Sequence, residues 1–181
     1  DKPCKDGDLL LMDVGAEYGN YNADMTRCIP VNGRFTPRQR DVYNAVLNVM
    51  KGAKALLKPG VFMHEYHKQV GELMTKELVD LKLISMDDVK NQNPEWPAYK
   101  KFFMHGTSHF LGLDVHDVGD WSLPIAEGNV FTVEPGIYIR EESLGIRIEN
   151  NIVITKNGNT DMFDQFAIEV EEIEEWMNGS N

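Results

Sequence analysis

The chain has 181 residues, enough for one domain with a sizeable core. Its 42% hydrophobic and 26% charged content is that of a soluble globular chain. The formal net charge of −11 argues against duplex nucleic acid or an anionic membrane as partner, since both demand clustered Lys and Arg.

No run approaches the roughly 18 apolar residues of a membrane span. The two cysteines, Cys4 and Cys28, form no CxxC motif and fit a reduced pair in a cytoplasmic protein. The chain starts at Asp1 without a methionine and reads as part of something longer.

After a turn-rich opening over 1–7, LLLMDVG is apolar almost throughout and predicts a strand buried on both faces. Gly19-Asn20 is a turn dipeptide, and YNADMTRCIPV resumes in extended style, so 9–30 reads as a β-hairpin. Asp13 and Asp24 each sit among apolar neighbours. A carboxylate in a buried strand has to be paired, hydrogen-bonded or metal-bound, and two on facing strands repel unless a cation lies between them. Turn or capping roles are the alternative for either one.

Thr36-Pro37-Arg38-Gln39 is a helix start, with Thr36 as N-cap and Gln39 as capping-box partner. Apolar residues then recur at helical spacing until Lys58-Pro59-Gly60. A second helix is predicted from Met63 to Leu81, with His64 and His67 as surface residues near its start. Residues 85–101, polar and with two prolines, read as a long irregular link in which Trp96 packs.

The stretch 103–119 carries HGTSHFLGLDVHDVG and three of the five histidines: His105, His109 and His116. No HExxH is present, and Gly106 and Gly112 favour a bent, strand-like path. Imidazoles among apolar groups suit a metal ligand or a proton shuttle, and equally a hydrogen-bonded core. NVFTVEPGIYIR follows as a strand with Glu134 in its middle, and GIRIENNIVIT as another in which Arg147 and Glu149 share a face. A cross-strand ion pair is the plain account of Arg147. The tail, AIEVEEIEEWMNGSN, predicts an amphipathic helix ending near Asn178-Gly179 with its acids on a solvated face. Two hairpin-plus-carboxylate units, 9–30 and 130–155, bracket the helices and hint at pseudo-symmetry.

Asp13, Asp24, His109, Glu134 and Glu149 thus share an apolar setting. Such an oxygen-rich set suits Mn, Co, Fe(II) or Zn more than copper. Five ligands, two of them able to bridge, suggest two ions about 3.5–4 Å apart that activate a shared water.

DVGAEYGNYNADMTR, HGTSHFLGLDVHDVG, FTVEPGIYI and GIRIENNIVIT resemble, in order and spacing, the signature blocks of the Xaa-Pro aminopeptidase (aminopeptidase P) and prolidase group. These are dinuclear metallopeptidases of the pita-bread fold, and the resemblance covers nearly the whole chain. It implies an α+β architecture, a curved antiparallel sheet backed by helices. It also implies an exopeptidase that uses two divalent ions, manganese first among them, and a metal-bridging hydroxide. That enzyme would cleave between an amino-terminal residue and a following proline.

By the same resemblance, Asp13 would bind one metal and Asp24 would bridge both. His109 and Glu134 would bind the second, with Glu149 as the other bridge. Glu134 would double as general acid/base, and His105 and His116 would hold and polarise the substrate. Arg147 would order the site, and Tyr138 matches an aromatic near it. Proline-containing peptides, a homo-oligomeric full-length protein and a cytoplasmic location are the further expectations.

The group's first helices and strand, a further histidine and a separate amino-terminal domain have no counterpart in this sequence. Residues 1–181 therefore read as one catalytic domain lacking those parts. Two alternatives stand beside this reading: a weak or inactive pita-bread fragment serving as a binding module, and an Xaa-Pro dipeptidase (prolidase).

Overall fold

The computed structural model describes residues 3–179. The expected hairpin is present and nested. Strand β1 (Leu9–Val14) precedes a small inner hairpin of β2 (Glu17–Tyr18) and β3 (Tyr21–Asn22), and β4 (Met25–Pro30) closes back on β1. Gly19 and Asn20 at the tip have φ of 60° and 66°. Two successive left-handed residues match the right-handed twist of a tight hairpin, which is why a Gly-Asn pair sits there. Burial of β1 on both faces is not observed: Leu10 is 39% and Val14 51% exposed. Among the described residues β1 is hydrogen-bonded only to β4 and forms an edge.

Helix α1 (Pro37–Leu56) begins with the predicted reciprocal capping box between Thr36 and Gln39. It lays Val42, Val46, Val49, Met50 and Ala53 against the core and packs beside α2 (Met63–Asp80). His64 is exposed and His67 partly buried against Tyr66, as surface histidines. The link 85–101 is less irregular than expected. It holds a short helix, α3 (Met86–Lys90), capped reciprocally by Ser85 and Asp88, and a 3-10 turn at Ala98–Lys101. Trp96 is 56% exposed, with Lys100 Nζ 5.0 Å from the ring centroid, so it packs at the surface.

Two long strands were expected from 130 onward, and both are broken. The first divides into β5 (Val130–Val133) and β6 (Gly136–Ile139), the second into β7 (Leu144–Arg147) and β8 (Asn150–Thr155). β8 lies between β5 and β9 (Gly158–Asp161), β6 pairs with β7, and every pairing is antiparallel. Pro135 has no N–H to give a ladder and restrains Glu134 before it, which accounts for the first break. The second lies alongside it, where Ile148 N–H reaches Pro135 O at 3.3 Å. At each break the backbone is handed to another segment. Glu134 N–H donates to Thr107 O at 2.8 Å, and Glu149 N–H donates to Thr26 O at 3.1 Å. The carboxylates therefore stand where strands from different parts of the chain meet.

Ile137, Ile139, Ile146, Ile148, Ile152 and Phe131 bury one face of these strands against α1, in a single core cluster. Helix α4 (Val170–Asn178) closes the fold and ends at left-handed Gly179, as predicted.

Its acids are not all solvated. Glu174 is only 8% exposed, and its Oε1 accepts from Phe35 N–H and from Arg40 Nη2, both at 2.9 Å. Periodicity cannot show this, because the partners lie in the segment entering α1. Glu174→Ala strips a buried N–H of its acceptor and takes from a partly buried guanidinium one of its two carboxylate partners, leaving Glu171 as the other. We expect a loss of roughly 2 kcal/mol, read in thermal melts as a fall in Tm of about 4–8 °C. An unchanged Tm would contradict the assignment.

Candidate metal centre

All the predicted site residues line one open cavity of about 500 Å³: Asp13, Asp24, His105, His109, His116, Glu134, Arg147 and Glu149, joined by Gly106 and Ser108. Asp13 is on β1, opposite Thr26 of β4, and Asp24 stands just before β4. The side chain of Asn151 clasps the Asp24 backbone at both ends. Its Oδ1 accepts from Asp24 N–H at 3.0 Å and its Nδ2 donates to Asp24 O at 2.6 Å. That contact bridges the nested hairpin to β8.

His109 is presented by the irregular stretch before β5, whose backbone runs beside that strand. Its carbonyl accepts from Thr132 N–H at 3.1 Å. Its ring Nδ1 lies 2.9 Å from Phe110 O. A carbonyl can only accept, so Nδ1 carries the proton, and in the neutral ring the lone pair is on Nε2. Nε2 stands 3.6 Å from Asp24 Oδ2 and 3.4 Å from Glu134 Oε1. Neutral imidazole with Nε2 free and Nδ1 anchored to a carbonyl is the usual form of a metal-binding histidine.

Glu149 is 2% exposed; Thr26 Oγ1 donates to its Oε2 at 2.6 Å, while Oε1 has no hydrogen-bond partner. Burial, reinforced by the nearby Glu134 and Asp24 charges, pushes its carboxyl up to about 8. Burial likewise raises Glu134 to about 7, and Asp24 is raised by burial and by Asp13 beside it. A protein with no use for cations here gains nothing from three carboxyls that resist ionisation around one cavity.

One ligand atom each from Asp24, His109 and Glu149 lie within 4.8 Å of one another, close enough to share an ion. Two predicted ligands stand outside that group. Asp13 Oδ2 is 2.5 Å from Arg147 Nη2, so Arg147 makes the expected cross-strand ion pair. Glu134 Oε1 accepts from Thr132 Oγ1 at 3.3 Å and faces His109. His116 is at the exposed rim, its ring edge-on to His109 with centroids 4.5 Å apart. His105 donates from Nδ1 to Gly106 O at 2.8 Å, which leaves Nε2 to accept from Tyr138 O–H at 2.8 Å. Burial lowers its pKa, so the ring is neutral.

Sequence reasoning missed the supporting residues: Thr26, Thr132 and Asn151. A signal existed for the two threonines. Each lies two positions from a site carboxylate, Asp24 or Glu134, and so shares its face of an extended chain. Asn151 gave none, because its partner is 127 residues away.

Residues 1–156 match the model of metallopeptidase family M24. The chain belongs to metallopeptidase family M24. It is 41% identical to the Xaa-Pro aminopeptidase of Haemophilus influenzae, over 98% of this chain and 44% of that protein. It is 43% identical to the Xaa-Pro aminopeptidase of Escherichia coli, over 96% of this chain and 42% of that one.

A solved structure of zinc-substituted E. coli aminopeptidase P in complex with product superposes with a TM-score of 0.88 at 41% identity. The match covers 96% of this chain and 42% of that one. Proline aminopeptidase P II from Yersinia pestis gives 0.89 over the same shares. The M24 chain thus has the pita-bread α+β fold that its sequence resembled, and it spans less than half the length of these relatives. No helix among the described residues is long and apolar enough to cross a membrane.

The donor set fits divalent cations. Four carboxylates, one imidazole with its lone pair turned inward, and a buried carboxylate oxygen without a partner form a site that hard or borderline divalent ions would satisfy.

Proposed function

We propose that this M24 chain carries the metal centre of an Xaa-Pro aminopeptidase, which hydrolyses the bond between an amino-terminal residue and a following proline. The observation that carries the reading is the partnerless Glu149 Oε1, buried beside Asp24 and the inward lone pair of His109. We assign Asp13, Asp24, His109, Glu134 and Glu149 as the residues that would hold two divalent ions. Manganese is the first choice, and zinc, cobalt and iron are the alternatives. Divalent ions held here would polarise the scissile carbonyl and supply a nucleophile at neutral pH.

The chain's own groups do the rest. Glu134 would take up the proton released as water attacks and return it to the departing prolyl nitrogen. His105 is neutral and held by Tyr138, and His116 stands at the rim. We assign His116 to hydrogen-bond the substrate and stabilise charge on its carbonyl oxygen, and give His105 the same role once one of its ring nitrogens exchanges Gly106 O or Tyr138 O–H for the substrate. Arg147 holds Asp13 in place through the ion pair between them. The relatives named above are aminopeptidases, which favours this reading over a dipeptidase. Free cysteines at Cys4 and Cys28 accord with a cytoplasmic location.

The test is release of free alanine from Ala-Pro-Ala by the manganese-loaded protein. Release that EDTA stops and Mn²⁺ restores is the expected result. No release from the loaded protein, or release indifferent to EDTA, would overturn the proposal.

A further inference from the structure

Thr26 is fully buried on β4. Its Oγ1 is 3.0 Å from Arg147 Nε and 2.6 Å from Glu149 Oε2. A guanidinium N–H can only donate, so Thr26 Oγ1 accepts from Arg147 and spends its single proton on Glu149. The hydroxyl thereby separates the guanidinium from the carboxylate, and Arg147 Nη2 goes to Asp13 instead. A guanidinium paired directly to Glu149 would neutralise the charge that a metal ion has to meet.

The backbone around Thr26 is tied to Glu149 as well. Thr26 O accepts from Glu149 N–H at 3.1 Å and from Arg27 Nη1 at 2.9 Å. Arg27 Nη1 donates in addition to Glu149 O at 2.7 Å. Both peptide groups of Glu149 and one of its carboxylate oxygens are thus fixed from residues 26 and 27. The other carboxylate oxygen is the one left without a partner.

We propose that Thr26 is a positioning residue for metal binding: its hydroxyl holds Glu149 by Oε2 and so presents Oε1 to a divalent ion. The proposal rests on the metal-centre reading above. Groups that orient a ligand from behind change metal affinity by roughly 10–100-fold when removed.

The test is calorimetric titration of Mn²⁺ into the chelator-stripped chain. Thr26→Val removes the hydroxyl at constant shape, and Thr26→Ala removes it without placing a methyl against the carboxylate. Thr26→Ser keeps it. Both hydroxyl-free variants should bind Mn²⁺ roughly 10–100-fold more weakly, while Thr26→Ser binds as wild type does. Their melts in EDTA should fall by no more than about 4–8 °C, the effect of the two hydrogen bonds that the hydroxyl makes, at roughly 1 kcal/mol each in a chain of this size.

Wild-type affinity in either hydroxyl-free variant that remains folded would overturn the positioning role alone. Weakened binding in Thr26→Ser equal to that in Thr26→Val, with EDTA melts falling further than this, would mark Thr26 as merely structural. A wild-type chain that takes up no Mn²⁺ would overturn the metal reading, and this proposal with it.

Discussion

Stripped of divalent ions with EDTA, the chain should become less stable as the pH rises from about 6.5 to 8.5, and added Mn²⁺ should reverse the trend. Glu134 and Glu149 have folded-state values near 7 and 8, against 4.5 for an unhindered glutamate. Below both values the group is protonated in both states, and pH has no effect. Between them the unfolded chain releases protons that the folded chain retains, so stability falls with pH; above the folded value it levels off.

His67 and His105, lowered by burial, act in the opposite sense, but their contribution is complete once unfolded imidazoles have lost their protons near 6.5. The exposed Glu142 and Glu172 are lowered by hydrogen bonds and finish titrating below the range. The Glu134 charge is one of the causes that raise Glu149, so their effects are not additive. The net fall should be on the order of 2 kcal/mol, or about 4–8 °C in Tm. Cations compete with those same protons, so the Tm gained from Mn²⁺ should grow over the same range. Parallel pH profiles with and without Mn²⁺ would contradict the account.

Glu149→Gln should separate stability from metal binding. The amide has nearly the carboxylate's shape, still offers an oxygen to Thr26, and carries no charge to set against Glu134 and Asp24. In EDTA near pH 8 the variant should melt above wild type by about 3–6 °C, a gain of roughly 1.5 kcal/mol from removing an ionised group that burial disfavours. With Mn²⁺ the order should invert, because metal binding stabilises the wild type by RT ln(1 + [Mn²⁺]/Kd) and the variant lacks the Glu149 carboxylate that would hold the ion. A variant that is weaker than wild type in EDTA and still fully stabilised by Mn²⁺ would show that Glu149 is an ordinary structural carboxylate.

The candidate site, as a set of residues that line one cavity, was legible because its residues break the local rules. Asp13, Asp24, Glu134 and Glu149 are charges inside apolar runs, and such conflicts concentrate where function overrides packing. Helix α1 and the end of α4 were legible because their caps are local: Thr36 with Gln39, and Gly179 in a left-handed conformation. The strand breaks at Glu134-Pro135 and Ile148-Glu149 were not read, although Pro135 supplied a hint. Apolar periodicity runs unbroken across both, while the hydrogen bonds that redirect the chain come from Thr107 and Thr26. For the same reason Glu174 looked solvated, since its acceptor role depends on Phe35 and Arg40, far away in sequence. Helix α3 escaped notice because its five residues are too few to show a period, and only the Ser85–Asp88 cap marked it.

The central claim is that carboxylates from the nested hairpin and from both strand breaks crowd into one cavity as the ligands of cations. Its most direct test is elemental analysis of the purified chain after equilibration with Mn²⁺ at pH 8 and removal of free ion. The account predicts two manganese ions per chain, lost on dialysis against EDTA and absent from Glu149→Gln. A chain that retains none, or one that keeps the same count after that substitution, would contradict it.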